Sequence, residues 1–288
     1  MTEIPCRLCG GRARALFAVT FLYRLDVQIY RCETCESLET EQPYWLDIAY
    51  AKELMGYGYD TATRCMNLTA WVSYLALVFL KRPWTTRVLD YGSGPGLLVR
   101  MLRDVGFEAV AYDPYTPGML AAGFAGDITK RHDMLLAIET FEHFVEPARE
   151  IEQIFSPGHD LVVIRTQVYK GEGPSWYYFF PEAGQHIFFY SHKARAWIAK
   201  KYGYEVRSYG HMSIFSRRPM TRLQRALLDV HVVPVLAAQA VLPLMPRGGI
   251  RRDNRIVAEQ FREMMTTSPW SDRVRDLQRA HQDTHRSG

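Results

Sequence analysis

Four cysteines near the start of the chain have a spacing that suits a metal ion. Cys6 and Cys9 form one Cys-x-x-Cys pair, and Cys32 and Cys35 form a second. Each pair can direct two thiolates at one ion, and two pairs complete the tetrahedral Cys₄ shell of structural zinc. Paired disulfides are the alternative, which a cytoplasmic chain disfavours. The sequence therefore predicts a zinc ribbon in which a structural Zn²⁺ contributes folding energy rather than chemistry.

A glycine-rich loop lies between two predicted strands. "RVLDYG" predicts a strand, "LLVRMLRDVG" a helix, and "FEAVAYD" a second strand that ends in Asp113. Glycines let the loop turn sharply and approach a ligand, the helix N-terminus offers free amide groups, and an acid after the second strand can accept ribose hydroxyls. This order predicts a cofactor site that contains Gly92, Ser93, Gly94 and Gly96 together with Asp113.

The string "VLDYGSGPG" resembles motif I of class I methyltransferases that depend on S-adenosylmethionine (SAM). A fold of the NAD type is the alternative. The spacing here is G-x-G-x-G, which differs from the dinucleotide fingerprint G-x-G-x-x-G. The resemblance implies that Asp90 helps to hold the amino-acid end of SAM and that Asp113 holds the ribose.

A second stretch, "HDMLLAIETFEHFVEP", resembles the motif at strand four of many methyltransferases. The resemblance implies that Glu139 and Thr140 lie near SAM, and that Glu142 and His143 lie at the floor of the site with a catalytic role. The alternative is that Glu142 and His143 only brace the turn.

The segment "PEAGQHIFFYS", residues 181–191, places one histidine among aromatic and apolar residues. It follows the predicted fifth strand, "HDLVVIRTQV", and ligands of open α/β sheets bind beyond the carboxyl ends of the strands. We therefore expect this loop over the point of methyl transfer. An imidazole titrates near neutral pH and suits removal of a proton, so His186 is a candidate base and Tyr190 a candidate companion. The alternative for His186 is a histidine hydrogen-bonded in an aromatic core.

Taken together, the motifs up to about residue 218 resemble a bacterial group of methyltransferases with a zinc ribbon, a group similar to deoxysugar C-methyltransferases. Those sugar enzymes use a histidine and a tyrosine in an "EHxxYFS"-like segment as acid/base groups. "QHIFFYS" keeps His186 and has Tyr190 near the tyrosine position, but Gln185 stands where an acid would. O-methylation and C-methylation therefore both stay open.

The predicted fold is α/β, a doubly wound Rossmann-like methyltransferase sheet with a small N-terminal zinc ribbon and a helical C-terminal extension. The predicted boundaries are 1–42 for the ribbon, 43–218 for the SAM domain and 219–288 for the extension. The short distance from Asp113 to Asp133 predicts an abbreviated third strand within "MLAAGFAGD", and Asp127 is a candidate adenine contact. "YEVRSYGHMSIFSRR" predicts a closing antiparallel hairpin.

Composition bounds the partners and the location of the chain. The 288 residues are 48% hydrophobic and 23% charged, with a net charge of +4, which is ordinary for a globular protein and gives no reason to expect nucleic acid. The N-terminus shows no secretory signal, so we expect a cytoplasmic protein. The apolar and arginine-rich region 230–255 has two interpretations. One is docking at the inner membrane surface; the other is a helical extension packed on the domain or on a second subunit of a homodimer.

The sequence thus predicts a SAM-dependent methyltransferase whose acceptor is a sugar, a nucleotide sugar or a glycan. The alternatives are methylation of another metabolite, methylation of RNA or protein recruited by the zinc ribbon, and SAM binding without catalysis.

Overall fold

The structure, a computed structural model, describes residues 3–51, 61–81, 85–116, 118–230, 253, 255–260 and 262–263. Two sheets organise this part of the chain, one of six strands and one of five.

The larger sheet carries the predicted doubly wound arrangement. Its order is β10-β11-β8-β7-β5-β6; β5 to β8 are parallel, and the β10–β11 hairpin adds antiparallel strands at one edge. The central strands are continuous apolar runs because helices cover both of their faces. The strands are β5 Arg87–Tyr91, β6 Glu108–Tyr112, β7 Met134–Ile138, β8 Leu161–Arg165, β10 Glu205–Tyr209 and β11 Met212–Ser216.

In the described part of the chain, α-helices flank the sheets. Side chains of α2, α3 and α6 pack on one face of the larger sheet, and those of α4 and α5 on the other. Ser191 caps α5 by accepting a hydrogen bond from the amide of Ala194, and Gly203 ends that helix with a φ of 73°. The helices are α1 Leu46–Ala49, α2 Thr61–Leu75, α3 Leu97–Asp104, α4 Pro147–Phe155, α5 His192–Tyr202 and α6 Arg222–Asp229, with a π-helical continuation of α2 at Ala76–Leu80 and 3₁₀ turns at Met119–Ala121, Phe141–His143 and Tyr177–Phe179.

The predicted third strand of the larger sheet is abbreviated, as the sequence predicts. The 3₁₀ turn Met119–Ala121 is followed by a single parallel bridge between Ala125 and Ala111 of β6. The larger sheet therefore ends at β6 in the described part of the chain.

The smaller sheet joins the cysteine-rich segment to the rest of the chain. Its order is β1-β2-β3-β4-β9, and all neighbours are antiparallel. The last strand, β9, comes from the loop that contains His186, so the N-terminal module is completed by a distant segment. The strands are β1 Glu3–Pro5, β2 Arg12–Phe21, β3 Leu25–Cys32, β4 Leu38–Thr40 and β9 Phe188–Phe189.

A buried ion pair holds this junction together. The Arg7 Nε donates to Glu39 Oε2 at 2.8 Å, and the Glu39 side chain is fully buried. The other guanidinium nitrogens donate to the carbonyls of Ile187 at 2.8 Å, Thr40 at 3.2 Å and Val145 at 3.3 Å. Arg7 thus connects the first cysteine pair to two backbone segments of the larger domain.

One helical segment among the described residues, Thr61–Leu80, has the length and composition of a membrane span, with a mean hydropathy of 1.2. Leu68, Val72 and Leu75 from this segment are buried against residues of β5 and α3. Such packing is typical of the core helix of a globular domain.

The C-terminal extension contacts the larger domain where the structure describes it. Asp253 is buried and forms ion pairs with Arg100 and Arg103, each at 2.7 Å. Gln260 donates to the carbonyl of Gly123 at 3.3 Å. These contacts agree with the interpretation of an extension packed on the domain. The other predicted roles of region 230–255 are docking at a membrane surface and packing on a second subunit. Nearly all of this region lies outside the described residues.

Replacing Arg7 with Met should destabilise the protein by about 3 kcal/mol, because it leaves the Glu39 charge buried and unpaired. The measurement is urea denaturation of the full chain. Arg12→Met is the matched control: Arg12 pairs with Glu3 and Glu33, but its side chain is 56% exposed, and exposed pairs contribute less than about 1 kcal/mol. Equal losses in the two variants would show that the Arg7 pair does not hold the junction.

Candidate cofactor and acceptor site

The glycine loop after β5 leaves space for a ligand at its centre. Gly92, Gly94 and Gly96 have φ angles of 72°, 53° and 83°, in the left-handed region that favours glycine. A Cβ on Gly92 would lie 2.6 Å from the Thr140 side chain, and one on Gly96 would lie 2.6 Å from the Cβ of Ala121. A Cβ on Gly94 would meet nothing within 4 Å. The outer two glycines thus permit close packing, and the middle one faces open space.

Asp113 follows β6 and closes the other side of this space. Its Oδ2 accepts from the amide of Gly94, and its Oδ1 accepts from the amides of Tyr115 and Thr116, all at 2.9 Å. Three backbone donors therefore fix the carboxylate beside the loop. Oδ1 thus has both of its acceptor sites used, and Oδ2 keeps one for a donor from a ligand.

Asp90, near the end of β5, is almost fully buried. Burial, and to a smaller extent the charge of Asp113, raises the pKa of Asp90 to about 8. No ion-pair partner of this carboxyl group is seen in the described part of the chain. The hydroxyl of Ser93 in the adjacent loop is also buried and without a hydrogen-bond partner among those residues. Both groups suit a polar ligand, and the carboxyl group suits a cationic one.

Glu139 and Thr140 bring the end of β7 to the glycine loop. Glu139 has a φ of 50°, which is uncommon for a residue with a side chain, and its carboxylate pairs with Arg165 of β8. The Thr140 hydroxyl donates to the carbonyl of Ile138 at 3.0 Å while the side chain packs on Gly92. The left-handed turn thus directs the chain across the loop.

The 3₁₀ turn after Thr140 meets the loop that carries the conspicuous histidine. The rings of His143 and His186 lie 5.1 Å apart at an angle of 78°. One ring nitrogen of each histidine and a carboxylate oxygen of Glu142 lie within 4.8 Å of one another. Burial lowers the pKa of His143 to about 4, with a smaller contribution from the charge of His186. The structure therefore brings three of the four predicted catalytic residues together.

His186 is partly exposed, so it is not a histidine enclosed in the core. Its Nδ1 lies 2.7 Å from the carbonyl of Tyr178, and its ring packs near the rings of Tyr178 and Phe180. A carbonyl only accepts, so Nδ1 carries the proton, and the lone pair of the neutral ring lies on Nε2.

Tyr190, the fourth predicted catalytic residue, has a different position. Its side chain is fully buried, its hydroxyl donates to the carbonyl of Phe141 at 3.2 Å, and burial raises its pKa well above the ordinary value. This position favours a packing role, and the predicted partnership with His186 gains no support from it. Gln185 donates to the carbonyl of Ala49 at 2.7 Å and so fixes the loop.

Two tyrosines that the sequence analysis did not select contact this cluster. The Tyr178 hydroxyl donates to Glu142 Oε1 at 2.6 Å, and the Tyr50 hydroxyl lies 2.9 Å from Nδ1 of His143. Tyr178 belongs to the run "WYYFF", in which nothing in the sequence distinguishes it from its aromatic neighbours.

Asp127, the candidate adenine contact, accepts from the amide of Thr129 at 2.9 Å within its own turn.

A cavity of about 300 Å³ lies beside the Glu139–Arg165 pair. Its walls include Arg64, Asn67 and Trp71 from α2, together with Arg165 at the end of β8 and Met212 at the start of β11. From Arg165, side-chain contacts continue through Glu139 and Tyr178 to Glu142. These contacts link one wall of the cavity to the histidine cluster.

The four N-terminal cysteines converge as their spacing predicts. The Sγ atoms of Cys6 and Cys35 are 3.7 Å apart, and those of Cys9 and Cys32 are 3.6 Å apart. These distances are too long for disulfides, and all four thiols are free. Cys32 Sγ also accepts from the amides of Thr34 and Cys35. The arrangement is compatible with a single tetrahedral ion.

Comparisons with known proteins give one family match. Residues 62–209, just over half of the chain, match the family model described as a methyltransferase domain. A search of curated proteins finds no match.

Solved structures with a similar fold include three bacterial proteins. Magnesium protoporphyrin IX methyltransferase of Synechocystis PCC 6803 is 12% identical, with 61% of this chain and 93% of that chain covered and a TM-score of 0.40. The 1,6-didemethyltoxoflavin-N1-methyltransferase of Burkholderia thailandensis is 13% identical, with 68% of this chain and 96% of that chain covered and a TM-score of 0.43. An O-methyltransferase family protein of the same organism is 16% identical, with 56% of this chain and 58% of that chain covered and a TM-score of 0.43. The family assignment rests on the family model and not on these likenesses.

The buried carboxyl group of Asp90 makes stability depend on pH. It is protonated in the folded protein up to about pH 8, but it ionises near pH 3.8 when unfolded. The folded state therefore binds more protons in this window, so the contribution of Asp90 to the free energy of unfolding falls as pH rises. Each unit of pKa difference corresponds to at most about 1.4 kcal/mol.

We expect Asp90→Asn to remove this dependence in the ligand-free protein. The measurement is urea denaturation of wild type and variant at several pH values between about 4 and 8. The wild type should lose stability relative to the variant as pH rises. Parallel profiles would show that the Asp90 carboxyl group ionises normally in the folded protein.

Proposed function

The chain belongs to the methyltransferase-domain family, and we propose that it transfers the methyl group of SAM to a small molecule that carries a sugar or sugar-derived hydroxyl or carbon. The observation that carries the proposal is the open space at Gly94, bounded by Asp90 and Asp113, next to the cluster of Glu142, His143 and His186.

The residues around the glycine loop fit the chemical groups of SAM. The ammonium group of its amino-acid end would restore the ionised form of Asp90 and so remove a cost of burial. The anchored carboxylate of Asp113 can accept from a ribose hydroxyl, and the backbone near Gly94 allows close approach. When bound, SAM supplies a sulfonium methyl group for in-line displacement.

The acceptor would lie between the cavity and the histidine cluster. A volume of about 300 Å³ is at the lower end of the range for small-molecule sites. The exposed rings of Tyr177 and Phe180 offer apolar faces on which a sugar can pack. These features support a sugar-sized acceptor over a polymer.

A hydroxyl or carbon acid must lose a proton when it is methylated. Glu142, His143 and His186 are the polar groups placed to promote that loss, because His186 is partly exposed and its Nε2 carries a lone pair in the neutral ring. The cluster comes directly after Thr140, which packs on the glycine loop, so acceptor and cofactor would meet there.

We also propose that Cys6, Cys9, Cys32 and Cys35 bind structural zinc. With Zn–S bonds of about 2.3 Å, the sulfur atoms of a tetrahedral site lie about 3.8 Å apart. The two observed Sγ distances, 3.7 and 3.6 Å, agree with that value. Burial raises the pKa of Cys9 to about 12, so a cation is needed to hold the thiolates together.

The proposed enzyme acts in the cytoplasm on a small-molecule or glycan acceptor. Free thiols in the N-terminal module and the core packing of α2 support this location.

Asp113→Asn should weaken SAM binding by about 10- to 100-fold, because charge-assisted hydrogen bonds contribute about 1.5–3 kcal/mol. The measurement is calorimetric titration of the full chain with SAM. Glu108→Gln is the matched control, since Glu108 is exposed at the opposite end of the same strand. Wild-type affinity in Asp113→Asn would remove the assigned ribose contact, and no binding to the wild type would refute SAM dependence.

His186→Gln should slow single-turnover methyl transfer by about 100-fold or more with SAM affinity unchanged, because proton transfer would lose its promoting group. The acceptor is found first by screening nucleotide sugars and glycosides with labelled SAM. His192→Gln is the control, since His192 is an exposed histidine just beyond the same loop. A normal rate in His186→Gln would exclude this residue from the reaction.

A further inference from the structure

We infer that Glu142, His143 and His186 bind a divalent transition-metal ion through two imidazoles and one carboxylate. The three side chains place one donor atom each within 4.8 Å of the others. Two histidines and one carboxylate form a donor set suited to metals such as Mn²⁺ or Fe²⁺, and they leave coordination positions open.

The hydrogen bonds of the two rings leave the correct atoms available. Nδ1 of His186 lies 2.7 Å from the Tyr178 carbonyl, and Nδ1 of His143 lies 3.0 Å from the Gln185 carbonyl. Because a carbonyl only accepts, both Nδ1 atoms carry hydrogen, and both Nε2 atoms keep a lone pair. Histidine ligands of metals typically donate their second ring N–H to a backbone carbonyl in this way.

The carboxylate gives an independent indication of a missing ligand. Glu142 is fully buried, and its Oε1 accepts from the Tyr178 hydroxyl at 2.6 Å. Its Oε2 is buried and has no hydrogen-bond partner within the described residues. A buried carboxylate oxygen without a partner is costly, and a cation would remove that cost.

An acid/base pair explains these contacts less well. A catalytic carboxylate normally orients its histidine through a hydrogen bond. In the described part of the chain, no hydrogen bond joins the Glu142 carboxylate to either ring, because backbone carbonyls accept the Nδ1 hydrogens instead.

The cluster needs only a small adjustment to bind an ion. Nitrogen and oxygen donors at about 2.1 Å from a metal lie about 3 to 3.4 Å apart, so donor atoms that are now 4.8 Å apart would approach each other by about 1.4 to 1.8 Å. His186 is partly exposed, so an acceptor can reach the ion from the side of this residue.

The role of the ion rests on the proposed methyl transfer. An acceptor hydroxyl bound at an open position would have a lowered pKa and would give its proton to water. The resulting oxygen anion attacks the methyl carbon of SAM and forms the C–O bond. The carbon–sulfur bond breaks, and its electron pair stays on sulfur in the neutral thioether product.

The test measures metal binding directly, with Mn²⁺ as the probe because thiolates favour softer ions. Metal-depleted full-length protein with its cysteine site loaded with zinc is titrated with Mn²⁺ and followed by electron paramagnetic resonance. We expect one Mn²⁺ per chain in the wild type. Affinity should fall at least 100-fold in Glu142→Gln and in His186→Gln, while His192→Gln should bind normally.

A graded variant tests the arrangement around the ion. Tyr178→Phe keeps all three donors but removes the hydrogen bond to Glu142, so Mn²⁺ affinity should fall by about 10- to 100-fold. Circular dichroism and SAM affinity identify any variant that fails to fold. The inference is overturned if wild-type protein binds no Mn²⁺ at the second site, or if Glu142→Gln and His186→Gln bind it normally.

The inference and the proposed function can fail separately. A methyl-transfer rate that is the same with the second site empty and with it filled would refute the role of the ion and leave the proposed function standing. Stoichiometric Mn²⁺ binding in a protein that binds no SAM would support the metal site and refute the proposed function.

Discussion

The buried pair of Arg7 and Glu39 is the interaction on which the junction between the cysteine module and the histidine cluster depends. A charge without water is tolerated only when its partner and hydrogen bonds are in place, so Arg7 cannot move independently of the groups it contacts. Those groups include the carbonyls of Val145 and Ile187. Val145 lies two residues after His143, and Ile187 directly follows His186. A residue of the cysteine module thus fixes the backbone on both sides of the histidine cluster.

The end of β7 provides the second constraint. Glu139 takes a left-handed conformation at the carboxyl end of the sheet, and its pair with Arg165 holds it there. The turn sends Thr140 over Gly92 and the next residues towards the loop of His186. One segment therefore touches the glycine loop through Thr140 and supplies Glu142 and His143 to the histidine cluster, so a shift in one displaces the other.

The sequence predicted the local features because each depends on neighbouring residues. The glycine loop and the closing hairpin are encoded within a few positions, and the structure has them where they were expected. Features that depend on distant contacts were missed. Pairing of β9 with β4 completes the smaller sheet and turns Tyr190 into the core, so its spacing to His186 gave no guide to its role. Tyr178 was missed because its hydrogen bond to Glu142 forms only in the folded chain.

These contacts give the cysteine module a structural role next to the histidine cluster. A module that recruits a polymer needs only a surface, whereas this module shares β9 with the loop of His186 and contributes Arg7 to the backbone behind both rings. Ordering the two cysteine pairs around zinc would fix Arg7, because it lies within the first pair. Under the proposed zinc binding, part of the binding energy of zinc would position His143 and His186, and zinc affinity would be linked to the geometry around these two histidines.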